Sequence, residues 1–453
     1  YGLRWEYFGP ISEKNDLLSN FPGPFSATQQ LVMVGHGGLS GAYNRDLDNF
    51  GPRIGVAWSP FQNTVLRAGY GIYYDYIPQD LLIANFTNTA GIATNPIGPL
   101  PVLGLNFNAN NFNGSTSGPV FGPVLTGANN IFVTPRTLET PYVGEWNLNI
   151  QQEIAKGAAI EVGYVGSKGT RLTRLYDANQ DGINTNFLQV ATFATISDST
   201  YNALQVQARF SNWHRFSGFS AYVFSKSLDG ASDGIDFNSS TAAFPQNSDN
   251  LKAEKGPSTF DARHRWTTAL NYSVPAWRAL PPKLGEGWGW NTIVTVMSGQ
   301  PIGIITSNGG INFHQRPDLV PGVDPILHGN PAFGYINPLA FAQPMGNFGD
   351  LGRDAIYGPG FWNIDFSITK NTNLTERLTL QLRAEFFNIF NHPQFALPSG
   401  VIVPAAGSGM TLPQALANCS GCFSSATPDV AQGNPGLGGG GPRVVQLAAR
   451  FQF

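Results

Sequence analysis

The sequence predicts an all-β chain that crosses a membrane as an antiparallel, up-and-down barrel. Three observations predict it: apolar residues recur at every second position in segment after segment, short and long connections alternate, and charge is scarce. Of 453 residues, 26 are Lys or Arg and 29 are Asp or Glu, so charge makes up 12% of the chain against roughly 25% in an average soluble domain. Gly 53 and Pro 33 together approach a fifth of the residues and are spread along the chain, which argues against long helices. No run approaches the roughly 18 consecutive apolar residues of a membrane-spanning helix, so a helical membrane protein is excluded. A formal charge of −3 and a pI near 6.1 provide no electrostatic footprint for nucleic acid, and no nucleic-acid partner is expected. The chain opens on Tyr1-Gly2-Leu3-Arg4-Trp5, without an initiator Met or a signal sequence, and reads as a fragment.

The period-two segments appear in order along the chain. Ile54, Val56 and Trp58 are followed by Leu66, Ala68, Tyr70 and Ile72. Next come Trp146, Leu148 and Ile150; Ile160, Val162 and Tyr164; and Leu204, Val206, Ala208 and Phe210. Trp266, Leu270, Tyr272 and Val274 follow, then Trp362, Ile364, Phe366 and Ile368, then Leu378, Leu380, Leu382, Ala384 and Phe386. In the last segment Val445, Leu447, Ala449, Phe451 and Phe453 share one face, and Gln446, Arg450 and Gln452 share the other. About twelve strands result, many near the nine to eleven residues that a tilted bilayer-crossing strand needs.

The connections decide between a membrane barrel and a soluble β protein. Residues 59–63, 154–157, 211–215 and 371–375 are tight links, and 275–286 is moderately longer. Between them lie 75–141, 169–200, 228–260, 299–358 and 391–442, rich in Gly, Asn, Pro and Ser. Loops beyond roughly 12–15 residues are uncommon in a compact soluble domain, whereas outer-membrane barrels pair short periplasmic turns with long extracellular loops. Low charge follows from the same physics. A lipid-facing Arg or Lys at the midplane costs about 2–4 kcal/mol, and backbone groups in hydrocarbon must all be bonded strand to strand. Twelve strands either close alone or form part of a larger barrel.

Specific phrases resemble a known family, the large Oar-like TonB-dependent receptors of bacterial outer membranes, which carry an N-terminal carboxypeptidase-regulatory-like domain. They are Gly2–Phe8, Asn49–Gly55, Thr64–Asp75, Tyr222–Asp229, Asp261–Arg265 and, most specifically, Arg383–Pro393 with the terminal Phe453. The resemblance implies a 22-stranded, plugged barrel of which residues 1–453 supply the later strands. It also implies a plug domain and the TonB energy-coupling complex as partners, and the barrel assembly machinery as the reader of Phe451 and Phe453 on the closing strand. Outer-membrane lipid is the remaining partner.

Candidate chemistry is sparse. Asp177-Ala178-Asn179-Gln180-Asp181-Gly182 copies the opening of a calcium loop, but position twelve is Leu188 and no helix flanks it, so a polar surface loop is the plainer reading. Asp229, Asp233 and Asp236 read as a solvated acidic loop. His36, His214, His264, His314, His328 and His392 are scattered without the spacing of a helical zinc site. Gly438–Gly441 is a glycine run with no following helix, and no nucleophile elbow occurs, so neither an enzyme nor a cofactor is expected. Cys419 and Cys422 lack the second pair of a zinc ribbon and the setting of a thioredoxin motif, and read as a local disulfide formed outside the cell.

Arg263, Arg265, Arg383, Glu385 and Arg450 fall on the wet face and are candidates to line the lumen as a set, with simple cross-strand pairing as the plainer reading. Trp58, Tyr74, Trp146, Trp266, Tyr272, Trp288, Trp290 and Trp362 are candidates for interfacial girdles, or for a sandwich core if the protein is soluble. The leading functional reading is the barrel of a TonB-dependent receptor moving a large polar substrate. The alternatives are a passive porin or structural barrel and, from another class, a secreted carbohydrate-binding β protein.

Overall fold

A computed structural model describes residues 1–11, 19–35, 38–76, 129–232, 244–306, 315–346, 348–424 and 441–453. Twelve strands form one antiparallel meander in chain order. These are β1 (Gly2–Trp5), β2 (Phe50–Phe61), β3 (Thr64–Tyr74), β4 (Tyr142–Ala155), β5 (Ala158–Asp177) and β6 (Phe187–Trp213). The remainder are β7 (Phe216–Asp229), β8 (His264–Ser273), β9 (Trp288–Met297), β10 (Phe361–Asn373), β11 (Thr379–Phe387) and β12 (Val444–Gln452). Among the described residues no pairing joins β1 to β12, so these two strands are the edges of the sheet.

Register converts the period-two pattern into two surfaces. Trp58, Leu66, Ile150, Val162, Val206, Tyr222, Trp266, Val296 and Trp362 are successive neighbours across nine strands, an unbroken apolar row. These side chains are not a core: Trp58 is 62% exposed, and Leu447, on the same face further along the sheet, is 77% exposed. So large an apolar surface left open is the lipid contact of a barrel. One position over, Gln151, Glu161, Gln207, Ala221, Thr267, Thr295 and Asn363 form the matching row of the other face.

The tight links turn as their residues dictate. Gly157 takes φ +82 between β4 and β5, where a Cβ would lie 2.4 Å from the Ser211 carbonyl oxygen. Between β6 and β7, His214 and Arg215 both sit at positive φ, the geometry of a two-residue hairpin whose twist matches its strands.

One long connection is overturned. Residues 169–200 are not a loop: β5 runs to Asp177 and β6 begins at Phe187, leaving 178–186 as the connection. The register shifts after Gly169, with Arg171 at φ +58, and pairing then resumes from Leu172↔Ser197 to Asp177↔Ala191. The alternation is lost there because both faces are covered. Asn129–Val133 adds to β6 as a parallel strand, and Val190 through Thr195 are all buried. A strand buried on both sides reads as a continuous run, not as a period of two.

The packed core lies in the loops at this end. Ile302, Ile304, Ile336, Phe341, Ile356 and Ile402 form the largest cluster, contributed by the β9–β10 and β11–β12 connections, and it encloses Cys419 and Cys422. Phe193, Leu175, Leu138 and Tyr43 form a second cluster, and Phe21, Ile131, Val133, Phe187 and Val190 a third. The described parts of the long loops therefore build a packed crown, whose end of the sheet is the outer one by the loop-length asymmetry.

The phrase Arg383–Pro393 ties that crown to the wall. Asn388, at φ +48, accepts the His392 amide and donates to the His392 and Gly441 carbonyls, while its own amide donates to Asp365. The chain returning to β12 is thereby held against the top of β10 and β11.

The two-faced sheet carries a direct test. Replacing Leu447 with Arg is expected to cost about 2–4 kcal/mol if it lies near the midplane. The same change at the neighbouring Gln446 should be tolerated. The fraction of heat-modifiable, folded protein in outer-membrane preparations measures the difference; equal losses would overturn the assignment of faces.

Candidate functional site

The polar face is built by cross-strand and same-strand hydrogen bonds. Arg67 donates to Gln151 at 2.9 Å, Arg209 to Gln207 at 2.9 Å and Asn291 to Ser367 at 2.9 Å. Glycines open this wall locally. Arg53, Gly69, Gly71, Tyr73, Glu145 and Asn147 line an open cleft of about 300 Å³, where the Arg53 guanidinium lies 4.4 Å from the centre of the Tyr73 ring. A Cβ on Gly71 would meet that ring at 2.8 Å. On the lipid face Trp146 covers Gly166 in the same manner, and its register row runs through Gly166 and Asn202 to Lys226.

Of the residues expected to line the lumen, Arg383 and Glu385 approach each other at 3.7 Å, and Arg450 is the register partner of Gln381 on the same face. Arg265 has wet-face parity, between Val223 and Met297. Its position is remote from Arg383. The Arg383 row runs through Thr369 and Gly289 to Ser273, eight residues or about 27 Å along β8 from Arg265. The expected set is therefore two groups at different depths. Arg263 is a correction: it precedes β8, and its guanidinium lies 5.7 Å from the ring of Phe224, a residue of the apolar face. Strand parity does not govern a residue outside the strand. Phe451 lies on the apolar face opposite Leu380, and Phe453 follows the last paired residue, fully exposed. Cys419 and Cys422 are joined as a disulfide with Cα atoms 5.5 Å apart, buried inside the crown.

Asp177 and Asn179, the opening of the calcium-like loop, are committed to the backbone. Asp177 Oδ1 accepts from the amides of Asn179 and Val190, each at 2.9 Å, and the Asn179 side chain bonds to Asn184 and Phe187. The loop is a stitched turn. His36, Asp233, Asp236, His314 and Gly438–Gly440 lie outside the described residues.

A charge network shows no periodic signal in the sequence yet dominates the crown. Asp229, expected in a solvated loop, ends β7 at 2% exposure and pairs with Arg353. Arg353 also donates to Asp354 at 2.6 Å and to the Glu254 carbonyl at 2.7 Å. Glu254 in turn receives both hydrogen bonds of Arg316 Nη1, at 3.0 and 2.8 Å. Beside it, Lys226 donates to Asp261 at 2.9 Å and to the Tyr357 hydroxyl at 2.6 Å, and Asp261 also accepts the Ser227 amide. Arg174, on the outer extension of β5, is buried against the same carboxylates, and desolvation pulls its guanidinium down to about 10, so it stays charged at neutral pH. Lys226 and Asp261 belong to two of the phrases quoted above, and the fold explains them as one ion pair. Glu254, Arg316 and Arg353 come from aperiodic loops, which gave no sign of their convergence.

A sheet with one lipid face, one polar face and a packed outer crown defines a wall segment of a bacterial outer-membrane barrel protein. The comparisons agree. Residues 1–425 match the family described as outer membrane beta barrel domain; the chain belongs to that family, and its place is the bacterial outer membrane and not the secreted fraction. No curated protein sequence matches the chain. Among solved structures it is similar to the outer membrane transporter YddB from Escherichia coli, with TM-score 0.50 and 10% identity over 90% of this chain. The ferric preacinetobactin receptor BauA from Acinetobacter baumannii follows with TM-score 0.43 and 8% identity over 90%, and the ferric-catecholate import receptor Fiu from E. coli K12 with 0.40 and 10% over 90%. The chain spans 41%, 37% and 36% of these proteins.

Two outcomes are expected. Arg353→Met leaves Asp229 and Asp354 buried without their partner and should cost the crown about 3–5 kcal/mol. Limited proteolysis should then cut the crown while the barrel keeps its heat-modifiability. The second concerns pH. Burial pushes the Asp354 carboxyl up to about 6, against the pull of Arg353. The folded crown therefore binds this proton more tightly than the unfolded chain does, and the group adds stability as pH falls from above 6 towards an unfolded value near 4. Hydrogen-exchange protection of the crown, corrected for intrinsic rates, should gain from acidification, and Asp354→Asn should remove that part of the gain.

Proposed function

We propose that the chain forms the wall and outer crown of a TonB-dependent receptor that carries a large polar substrate across the outer membrane, of the Oar-like subtype that its phrases resemble. The observation that carries this reading is the pairing of a wide polar wall with a crown that has its own packed core and buried ion pairs. A passive pore needs only the wall. A receptor also needs a preformed surface outside the membrane on which a cargo can be recognised before it enters. The fold similarity to an outer membrane transporter, at TM-score 0.50, is compatible with this reading. In this reading the complete protein has 22 strands and a plug engaged by the TonB complex. The polar face, with Arg67, Arg209, Arg265, Arg383 and Arg450, meets plug or cargo, and no covalent chemistry is performed.

Conductance separates this from a passive porin or structural barrel. The complete receptor in a planar bilayer should show no steady ion current, because a plug closes the lumen, and in cells its cargo uptake should vanish without TonB. A stable open conductance, or uptake indifferent to TonB, would support the porin. Ligand co-purified from native membranes would name the cargo.

A further inference from the structure

The link between β8 and β9 differs from every other connection at the short-turn end. Residues 274–287 separate these strands, whereas two to five residues separate the other hairpins there. The extra length is folded. Trp277 and Gly285 are bonded amide to carbonyl at 3.0 Å, a single helical turn at Pro282–Gly285 follows, and Trp288 Nε1 donates to the Leu284 carbonyl at 2.8 Å. Gly285 is required, since a Cβ there would lie 2.6 Å from the Trp277 carbonyl oxygen.

This folded hairpin turns its apolar side chains outward: Trp277 is 56%, Leu280 41% and Leu284 59% exposed. Their surface continues the lipid face without a break. The Trp277 ring stacks on Trp288 with centroids 6.5 Å apart, and Trp288 shares strand parity with Trp290, which packs with Phe216, Tyr272 and Phe366. Cations frame it. Lys370, the register partner of Trp288, lies 5.7 Å from the Trp288 ring and donates to the Asn371 carbonyl and the Thr372 hydroxyl. Arg278 and Lys283 are exposed on the hairpin and form no ion pair among the described residues, and Glu286 is its one acidic residue.

We propose that residues 274–287 are an interfacial anchor that inserts Trp277, Leu280 and Leu284 into the periplasmic leaflet and binds anionic glycerophospholipid headgroups through Arg278 and Lys283. Exposed aromatic and aliphatic side chains beside uncompensated cations are the pattern of elements that lie in a membrane surface. Continuity with the lipid face selects lipid over a soluble protein as the occupant. Each cation near an anionic surface contributes about 1 kcal/mol, a factor of about five in relative affinity.

The test uses the complete receptor reconstituted in mixed phosphatidylglycerol and phosphatidylcholine vesicles in which one or the other lipid is brominated. The difference in fluorescence quenching between the native chain and Trp277→Phe isolates Trp277, and quenching of the other tryptophans shows that the barrel is inserted. Quenching at Trp277 should occur, with phosphatidylglycerol preferred about fivefold or more, and Arg278→Gln/Lys283→Gln should abolish the preference. Absence of quenching at Trp277 in either lipid, with the other tryptophans quenched, overturns the proposal and leaves the hairpin to a periplasmic protein. Equal quenching by both lipids overturns the headgroup recognition.

Discussion

Everything in this molecule depends on one constraint: inside hydrocarbon, a backbone amide or carbonyl has no water to bond, so every strand must be paired along its length. A meander of neighbouring antiparallel strands meets that demand with the shortest connections, and the observed order, from β1 to β12 without a crossover, is that solution. The two-residue repeat of a strand then sends alternate side chains to lipid and to the interior. A chain under this constraint carries few charges because half of each crossing strand is closed to them.

The same constraint explains why, among the described residues, the packed clusters lie beyond the membrane. Within the sheet there is no second layer to bury against, and the apolar face is solvated by lipid. Above it, the loops meet water, must satisfy their own polar groups, and collapse as a soluble domain does. The cluster around Ile336, Phe341 and Ile402 and the network around Arg353 and Glu254 are two halves of that collapse, one apolar and one ionic. Burying charges is costly unless each finds a partner. Asp229, at the end of β7, and Glu254, Arg316 and Arg353, from two connections, satisfy one another, which makes the crown cohere with the barrel rim instead of floating above it.

The resemblance phrases acquire physical meaning at the same rim. Asn388 knots the turn that begins the last long connection and holds the return to β12, and Lys226 meets Asp261 across 35 positions of sequence. These are positions where a strand leaves the membrane and the backbone must hand its hydrogen bonds over to side chains. Corrections to the sequence reading fall at such places too: Arg263 lies just outside a strand, Asp229 at the end of one, and residues 169–200 where a strand gains cover on its second face.

What the sequence determined alone was the wall. Period-two apolarity in Leu380, Leu382, Leu447 and their counterparts specifies strand, face and register together, because a shift of one residue would move every apolar side chain to the wrong side. Scarce charge and unequal connections then set the membrane and the direction. Only the tertiary structure decided the crown, the separation of Arg265 from Arg383, and the partners of Arg353. Loop residues follow no period, and the contacts that place them join segments as far as 158 positions apart, so their meeting depends on long-range packing that no local pattern records.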